Sequence, residues 1–226
     1  MNIKDLKNGV IVSCQALENE PLHSSFIMAK MALAAKEGGA IGIRANSTAD
    51  INAIKGEVDL PVIGIIKRDY SDSDVYITAT AHEVEELLST KAEIIALDAT
   101  NRKRPFNQKM EALLKLVHDN KRLAMADIST FEEAVEAERI GFDLVSTTLV
   151  GYTPYSRQVN EPDFDLIKKI KTELTIPVIM EGHTSLPIHV TKALESGAYA
   201  VVVGSIITRP QLITKHYVKA TMIERD

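Results

Sequence analysis

Short apolar runs alternate with longer amphipathic stretches along the whole chain, and this alternation restricts its fold more than any other feature. The pattern is typical of parallel strands joined by crossover helices. Each predicted strand is followed by a predicted helix. The strands are Val10–Cys14, Ala40–Arg44, Val62–Ile66, Ile94–Asp98, Leu123–Asp127, Leu144–Thr148, Val178–Gly182 and Ala200–Gly204, and the helices lie near 22–38, 48–57, 82–90, 107–119, 130–140, 163–173, 185–196 and 210–222.

These strand–helix units use nearly all of the 226 residues. That length is short for an eight-stranded βα barrel but within the observed range. We therefore predict the fold class α/β, a single (β/α)8 TIM barrel that forms one domain over residues 1–226. An open, doubly wound sheet is the alternative. Residues 70–80 fit neither element and are predicted to form a long loop after the third strand, with a short extended piece.

The composition disfavours several classes of protein. The single cysteine, Cys14, permits no internal disulfide, which is typical of a reducing compartment. Lys4, Asp5 and Lys7 interrupt any signal-peptide pattern, and no apolar run approaches the roughly 20 residues of a membrane helix. A net charge of −5 without a basic cluster argues against nucleic acid as a partner. We expect a cytoplasmic protein that binds neither nucleic acid nor membrane.

Two similar segments place charged side chains opposite each other. Pro61-Val-Ile-Gly-Ile-Ile-Lys and Pro177-Val-Ile-Met-Glu-Gly begin the third and seventh predicted strands, which face each other across an eight-stranded barrel. Side chains alternate along a strand, so the same parity from each proline reaches Lys67 and Glu181. Both are predicted at the barrel mouth, where active sites of this fold lie. They are candidates for an acid and a base, against the simpler interpretations of a solvated lysine and a structural ion pair.

Other predicted strands also end in polar residues. Arg44 ends the second strand, Asp127 the fifth, and Cys14-Gln15 the first. Arg44 is interpreted as a phosphate or hydroxyl ligand, or as the structural partner of a carboxylate. Asp127 is interpreted as a substrate contact, or as a cap for the helix that begins near Thr130. Cys14 is predicted to be a small buried residue rather than a nucleophile.

The histidines give little guidance. His183 is near the predicted mouth and its role stays open, and no histidine or cysteine spacing indicates a metal site. The other histidines are predicted at the surface: His23, His82, His118, His189 and His216.

Glycine turns follow the last two predicted strands. Gly182 follows the seventh, and Gly204-Ser205 follows the eighth. These loops frequently bind phosphate in such barrels, because glycine lets backbone N–H groups approach the oxygens and a helix N-terminus adds a favourable dipole. Arg209 can add a bidentate ion pair. We predict that these residues hold a phosphate group.

Several segments are specific to one family in combination: Cys14-Gln15, IGIRAN, PVIGIIKRDY, ALDAT followed by RP, MADIST, TTLVGYT, PVIMEG and VVVGSIITRP. With them the chain closely resembles the bacterial N-acetylmannosamine-6-phosphate 2-epimerases, which are barrels of the ribulose-phosphate-binding type used in sialic acid breakdown. The resemblance runs from the first strand to the last helix. Val150 is a departure, because the family's TTLSGYT segment has serine there.

The resemblance implies that the chain interconverts N-acetylmannosamine 6-phosphate and N-acetylglucosamine 6-phosphate without a cofactor or metal, and it suggests a homodimer. The partner of the protein is then a small sugar phosphate. By the same resemblance, the catalytic residues are Lys67 and Glu181, the substrate contacts are Gln15, Arg44 and Asp127, and the phosphate contacts are Gly182, Gly204, Ser205 and Arg209.

Inversion at C2 requires removal of the proton beside the C1 carbonyl of the open-chain sugar and its return on the opposite face. Lys67 and Glu181 on opposed strands suit this reaction, with a lowered pKa expected for Lys67 and a raised pKa for Glu181. The sequence does not fix which of them is the base. Two alternatives stay open: a lyase that forms a Schiff base on Lys67, and a non-catalytic barrel that binds a sugar phosphate.

Overall fold

The computed structural model describes residues 3–221, in which parallel strands close into a barrel in the order β1 to β8. The strands are β1 Val10–Cys14, β2 Gly42–Asn46, β3 Val62–Ile65, β4 Ile94–Asp98, β5 Leu123–Asp127, β6 Leu144–Ser146, β7 Val178–Met180 and β8 Ala200–Val203. The closed order confirms the predicted (β/α)8 barrel, and the alternative of an open sheet is wrong. The ends of the predicted domain 1–226, at 1–2 and 222–226, lie outside the described residues.

Helices surround the barrel. They are α1 Ser25–Glu37, α2 Thr48–Glu57, α3 Ala81–Leu88, α4 Met110–Asp119, α5 Phe131–Ile140, α6 Phe164–Glu173, α7 Pro187–Glu195, α8 Ser205–Thr208 and α9 Pro210–Lys219, with 3-10 turns at Ile3–Leu6 and Pro105–Asn107. Helix α8 is a single turn that lies in the predicted glycine loop after β8. The predicted helix 210–222 corresponds to α9, and its last residue, 222, lies outside the described residues.

The core has two layers, as strand alternation requires. One parity of each strand faces the barrel interior, where Ile63, Ile65 and Ile179 are buried with Leu6 of the N-terminal 3-10 turn. The other parity, including Val62 and Val178, packs against the surrounding helices. The inward positions predicted from Pro61 and Pro177 are therefore confirmed, and both strands direct the same parity toward the axis.

Some strand boundaries differ from the prediction. β2 begins at Gly42 rather than Ala40, because its pairing with β1 starts at the Ile11–Gly42 register. Arg44 therefore lies inside β2 instead of ending it. β3, β6, β7 and β8 end one or two residues earlier than predicted. The residues just beyond these ends are Lys67, Thr148, Glu181 and Gly204, which leave the strand ladder at the barrel mouth.

The long loop after β3 folds back on itself. Arg68 N–H donates to the Tyr76 carbonyl over 2.9 Å, and Thr78 N–H donates to the Ile66 carbonyl over 2.8 Å. Lys67 and Ile77 form an isolated antiparallel bridge, which confirms the predicted short extended piece. The Asn46 side chain accepts from Lys67 N–H over 2.9 Å. These bonds fix the backbone from which the Lys67 side chain leaves.

Candidate active site

Arg44 is the centre of a buried charge cluster at the barrel mouth. Its Nη2 donates to Asp127 Oδ2 over 2.6 Å and its Nη1 to Asp127 Oδ1 over 3.0 Å, while Nη1 also donates to Glu181 Oε2 over 2.8 Å. The Arg44 side chain is 1% exposed. Burial lowers the pKa of Arg44, but the Asp127 and Glu181 carboxylates outweigh burial and raise it. Arg44 is therefore a fixed positive charge.

Asp127 ends β5 and is fully buried. Both of its oxygens accept hydrogen bonds from Arg44, and Oδ1 also accepts from the Thr148 hydroxyl over 2.7 Å. The alternative role of helix cap is wrong, because the Thr130 hydroxyl caps α5 by accepting from Glu133 N–H. Asp127 instead orients the guanidinium of Arg44.

Glu181 follows β7 directly, and the Thr147 hydroxyl holds its backbone in place. Its N–H donates to the Thr147 hydroxyl over 3.0 Å, and its carbonyl accepts from that hydroxyl over 2.8 Å. Burial raises the pKa of the Glu181 carboxyl, and the Asp127 carboxylate adds to the rise while Arg44 opposes it. The neutral, protonated form of Glu181 is therefore favoured more than in water.

Lys67 lies near this cluster but outside its hydrogen bonds. Within residues 3–221 its Nζ forms no ion pair or hydrogen bond, whereas Glu181 pairs with Arg44. Burial, followed by the positive charges of Arg44 and Arg209, lowers the Lys67 pKa to about 8. About a tenth of the amine is then neutral at pH 7, far more than at the ordinary pKa of 10.5, and a general base requires this neutral form.

Gln15 and Ser13 line the β1 side of the mouth. Gln15 Nε2 donates to Ser13 Oγ over 2.9 Å. Gln15 Oε1 is buried and has no hydrogen-bond partner within residues 3–221. Buried amide oxygens normally accept a hydrogen bond. The Oε1 atom of Gln15 is an exception and is available as an acceptor. Cys14 points the other way into the outer layer, where burial raises its pKa to about 12, and its predicted buried position is confirmed.

Three of the predicted phosphate residues, Gly204, Ser205 and Arg209, come together beside β1 and β8, whereas Gly182 lies in the turn after β7. Gly204 is the N-cap of α8, which begins with Ser205, and Thr208 donates to the Ser13 carbonyl over 3.0 Å. Arg209 Nη1 donates to Ser205 Oγ over 3.2 Å, and its Nε pairs with Glu20 Oε1 at 2.9 Å. Sequence reasoning missed Glu20, which fixes the Arg209 side chain near the mouth.

Gly182 and His183 form the turn after β7 with φ values of +100° and +55°. Glycine adopts such a conformation without strain. His183 Nε2 lies 3.2 Å from the Val150 carbonyl, and its ring stacks on Tyr152 at 5.4 Å. His183 thus joins the loops after β6 and β7. Because residue 150 contributes its carbonyl, valine in place of the family's serine keeps this contact.

One predicted surface histidine is buried. His189 on α7 is 4% exposed, its Nδ1 accepts from Ser185 N–H at 3.4 Å, and its ring meets that of Phe164 edge-on. The prediction of a surface position for His189 is therefore wrong: α7 packs this face against α6, and the helical pattern alone did not mark it as apolar.

Sequence reasoning also missed Thr148. Its hydroxyl oxygen lies 2.7 Å from Asp127 Oδ1 and 3.2 Å from Glu181 Oε2. The alternation that identified Lys67 reaches Thr148 from Leu144 through Ser146, so the signal was present. An uncharged hydroxyl at a strand end is a weaker indication of function than a charged side chain, because threonine is common in strands.

No helix among residues 3–221 has the length and apolar character to cross a membrane. In the same range, no set of three or more histidine, cysteine, aspartate or glutamate side chains is placed to hold a metal ion.

Comparisons with known proteins agree on one family. Residues 28–223 match the NanE family, described as N-acetylmannosamine-6-phosphate epimerases. A protein of Clostridium perfringens named as N-acetylmannosamine-6-phosphate 2-epimerase is 58% identical over 212 residues, covering 94% of this chain and 96% of the relative. A Clostridioides difficile protein of the same name is 57% identical, covering 96% and 98%.

Solved structures give the same answer. The Clostridium perfringens N-acetylmannosamine-6-phosphate 2-epimerase superposes with a TM-score of 0.95 at 56% identity, covering 96% of this chain and 95% of that chain. Thiamine phosphate pyrophosphorylase from Pyrococcus furiosus, at 17% identity and a TM-score of 0.62, shares the fold. On the family match and these high identities over almost the full length, the chain belongs to the N-acetylmannosamine-6-phosphate epimerase family.

Proposed function

We propose that this protein interconverts N-acetylmannosamine 6-phosphate and N-acetylglucosamine 6-phosphate in sialic acid catabolism. The observation that carries the proposal is that an amine and a carboxyl follow opposed strands and have pKa values shifted toward their neutral forms. The pKa of Lys67 is lowered to about 8, and the pKa of Glu181 is raised. An enzyme that inverts one carbon by two-base proton transfer uses one such group on each face of it.

In the proposed mechanism, neutral Lys67 removes the C2 proton of one open-chain epimer and protonated Glu181 returns a proton on the opposite face. The opposite direction starts from ionised Glu181 and protonated Lys67. Both arrangements hold the same number of protons, so each direction of the reaction leaves the enzyme ready for the other. Arg44 stabilises the enediolate oxygen that forms at C1, because its charge is fixed and buried nearby.

The other polar residues and glycine turns at the barrel mouth are proposed to position the substrate. Gly182, Gly204, Ser205 and Arg209 are proposed to hold the phosphate, with support from the glycine turns and from the place of Arg209 next to α8. The unpartnered Gln15 Oε1 is proposed to accept from a sugar hydroxyl or the acetamido N–H. Asp127 supports binding through Arg44. We propose no cofactor, since proton transfer beside a carbonyl uses only the acid, the base and the oxyanion partner.

The proposal is tested by NMR in D2O. Starting from N-acetylmannosamine 6-phosphate, we expect deuterium at C2 of the N-acetylglucosamine 6-phosphate that forms. Lys67→Met and Glu181→Gln are each expected to lower epimerisation by about 10²–10⁴-fold, yet each keeps one of the two bases. Each variant should therefore still exchange C2 of one epimer, and the two variants should act on different epimers.

Lys168→Met and Glu132→Gln change the same residue types on exposed helix positions and should leave the rate unchanged. Absence of epimerisation in the wild-type protein would contradict the function. Product formation without deuterium uptake would contradict the two-base mechanism.

A lyase is the second candidate, because a buried lysine with a lowered pKa is also what a Schiff base requires. Borohydride added with substrate would trap a covalent adduct on Lys67 in that case. We expect no adduct, since Glu181 on the opposed strand has no role in such a scheme.

We further propose that the protein is a cytoplasmic homodimer. None of the residues of α9 is buried, although Leu212, Tyr217 and Val218 are large and apolar. A second copy of the chain is the proposed cover for this face. The cytoplasmic location is supported by the substrate class, since sugar phosphates are charged intermediates of metabolism inside cells.

A further inference from the structure

The Thr148 hydroxyl lies between the two carboxyl groups of the site. Its Oγ1 is 2.7 Å from Asp127 Oδ1 and 3.2 Å from Glu181 Oε2. Ser146 Oγ approaches the same oxygen to 2.8 Å, and Arg44 Nη1 approaches it to 3.4 Å. Thr148 is thus bonded to every member of the buried cluster around Glu181, while it carries no charge of its own.

A hydroxyl has one hydrogen to donate, so Thr148 can stabilise one carboxylate at a time. Asp127 is the nearer acceptor and is the anion of the pair while Glu181 holds its proton. When Glu181 gives up that proton, Oε2 becomes a second anion in the same buried volume. Rotation about the Cβ–Oγ1 bond then lets the Thr148 hydrogen turn from Asp127 to Glu181.

The charged groups that face Glu181 cannot make this adjustment. Arg44 from β2 already donates to both oxygens of Asp127 and, over 2.8 Å, to Glu181 Oε2, so it has no further donor to turn toward Glu181 when Glu181 ionises. Asp127 from β5 is itself an anion and repels ionised Glu181. Lys67, which follows β3, makes no ion pair with Glu181. Thr148 is therefore the neutral donor beside Glu181 that can follow the movement of its proton.

We propose that Thr148 is a positioning residue whose hydroxyl turns from Asp127 to Glu181 when Glu181 transfers its proton to the substrate carbon. In that step the Glu181 O–H bond breaks and its electron pair stays on the carboxylate, while the enediolate electron pair forms the new C2–H bond. The inference rests on the proposed function, because it requires Glu181 to exchange a proton with the sugar.

Thr148→Val removes the hydroxyl at nearly constant volume. In the direction in which Glu181 donates its proton, the carboxylate that forms then lacks a donor, and hydrogen bonds to charged groups are strong enough for kcat to fall by about 10- to 100-fold. KM should stay within about 3-fold, because Thr148 acts on Glu181 and not on the sugar. The lower limb of the pH profile of kcat should move up by about one pH unit, since the Glu181 pKa rises when its anion is less stabilised.

Thr148→Ser keeps the hydroxyl and should restore most of the rate and the position of the limb. Thr148→Ala removes the hydroxyl with a smaller side chain and replaces the valine variant if that one does not fold. Thr90→Val is the control, because it removes a buried threonine hydroxyl that donates to the Leu87 carbonyl before β4, away from the mouth.

Three outcomes would overturn the proposal. Wild-type kcat and an unmoved limb in Thr148→Val or Thr148→Ala would show that the hydroxyl has no role. A loss that appears only in KM would make Thr148 a substrate contact. A serine variant as slow as the alanine variant would exclude the hydroxyl as the active group. If the wild-type protein itself does not epimerise, the proposed function fails instead.

Discussion

Lys67 is unfavourable as a charged group inside the barrel, because burial and the positive charges of Arg44 and Arg209 act on its ammonium together. A pKa shift from 10.5 to about 8 corresponds to about 3 kcal/mol of unfolding free energy. The sign follows from proton binding: between pH 8 and 10.5 the unfolded chain holds the proton more tightly, so stability rises with pH through this window. Below pH 8, the full free-energy cost of burying the charged Lys67 side chain lowers the stability of the folded protein.

Lys67→Met is therefore expected to stabilise the protein at pH 7 by about 2–3 kcal/mol, although it lowers epimerisation. The gain should shrink as the pH is raised from 8 to 10.5. Urea unfolding at several pH values measures both quantities. Lys168→Met changes an exposed lysine on α6 and should show neither effect. Equal stability of wild type and Lys67→Met at pH 7 would contradict the burial of the amine.

At the same scale, single residues show what sequence could and could not reveal. Strand alternation located Lys67 and Glu181, since each ends an apolar strand on the inward parity. The role of Asp127 could not be read from β5, because it depends on Arg44 from another part of the barrel. The ion pair of Arg209 with Glu20 could not be predicted for the same reason, because Glu20 lies 189 positions away along the chain.

At the scale of elements, helices α3 and α5 begin with the same N-terminal capping motif. Thr80 and Glu83 form a capping box at α3, and Thr130 and Glu133 form one at α5. The sequence contains both as a threonine followed three residues later by a glutamate. It did not show that a tyrosine hydroxyl also donates to each box glutamate, as Tyr155 does to Glu133 over 2.7 Å. Such contacts come from loops that local patterns do not place.

Glu133 is the more connected of these carboxylates. It is 1% exposed and accepts hydrogen bonds from the loops after β4, β5 and β6: from Asn101 N–H, from Ser129 through both N–H and hydroxyl, from Thr130 N–H and from the Tyr155 hydroxyl. These loops all reach the mouth of the barrel. The cap of α5 therefore also fixes part of the rim of the site.

Glu133→Ala is expected to lower the unfolding free energy by at least about 3 kcal/mol, because several buried donors lose their acceptor together. Glu132→Ala, at the neighbouring exposed position, should change it by no more than about 0.5 kcal/mol. Chemical denaturation of both variants measures the difference. Similar values for the two would show that the network around Glu133 contributes little.

At the scale of the whole molecule, the last helix differs from the others. Helices α1 to α7 each bury at least one side chain, whereas α9 buries none. Its apolar residues Leu212, Tyr217 and Val218 are 40%, 76% and 49% exposed, and Ile206 and Ile207 of the preceding turn are 37% and 47% exposed. Contiguous apolar patches at a surface mark interaction sites. Most symmetric soluble assemblies are dimers built on one self-complementary patch.

We therefore expect a solution mass twice the 24.9 kDa of one chain by size-exclusion chromatography with light scattering. Tyr217→Glu should shift the protein toward the monomer, because a charge at the centre of a dimer interface is desolvated without a partner. Val135→Glu places the same charge on an exposed apolar position of α5 and should leave the dimer intact. A wild-type monomer at micromolar concentration, or equal dissociation by both variants, would contradict α9 as the interface. Because Arg209 is the N-cap of α9 and also one of the proposed phosphate contacts, we expect the Tyr217→Glu monomer to show a higher KM for the sugar phosphate.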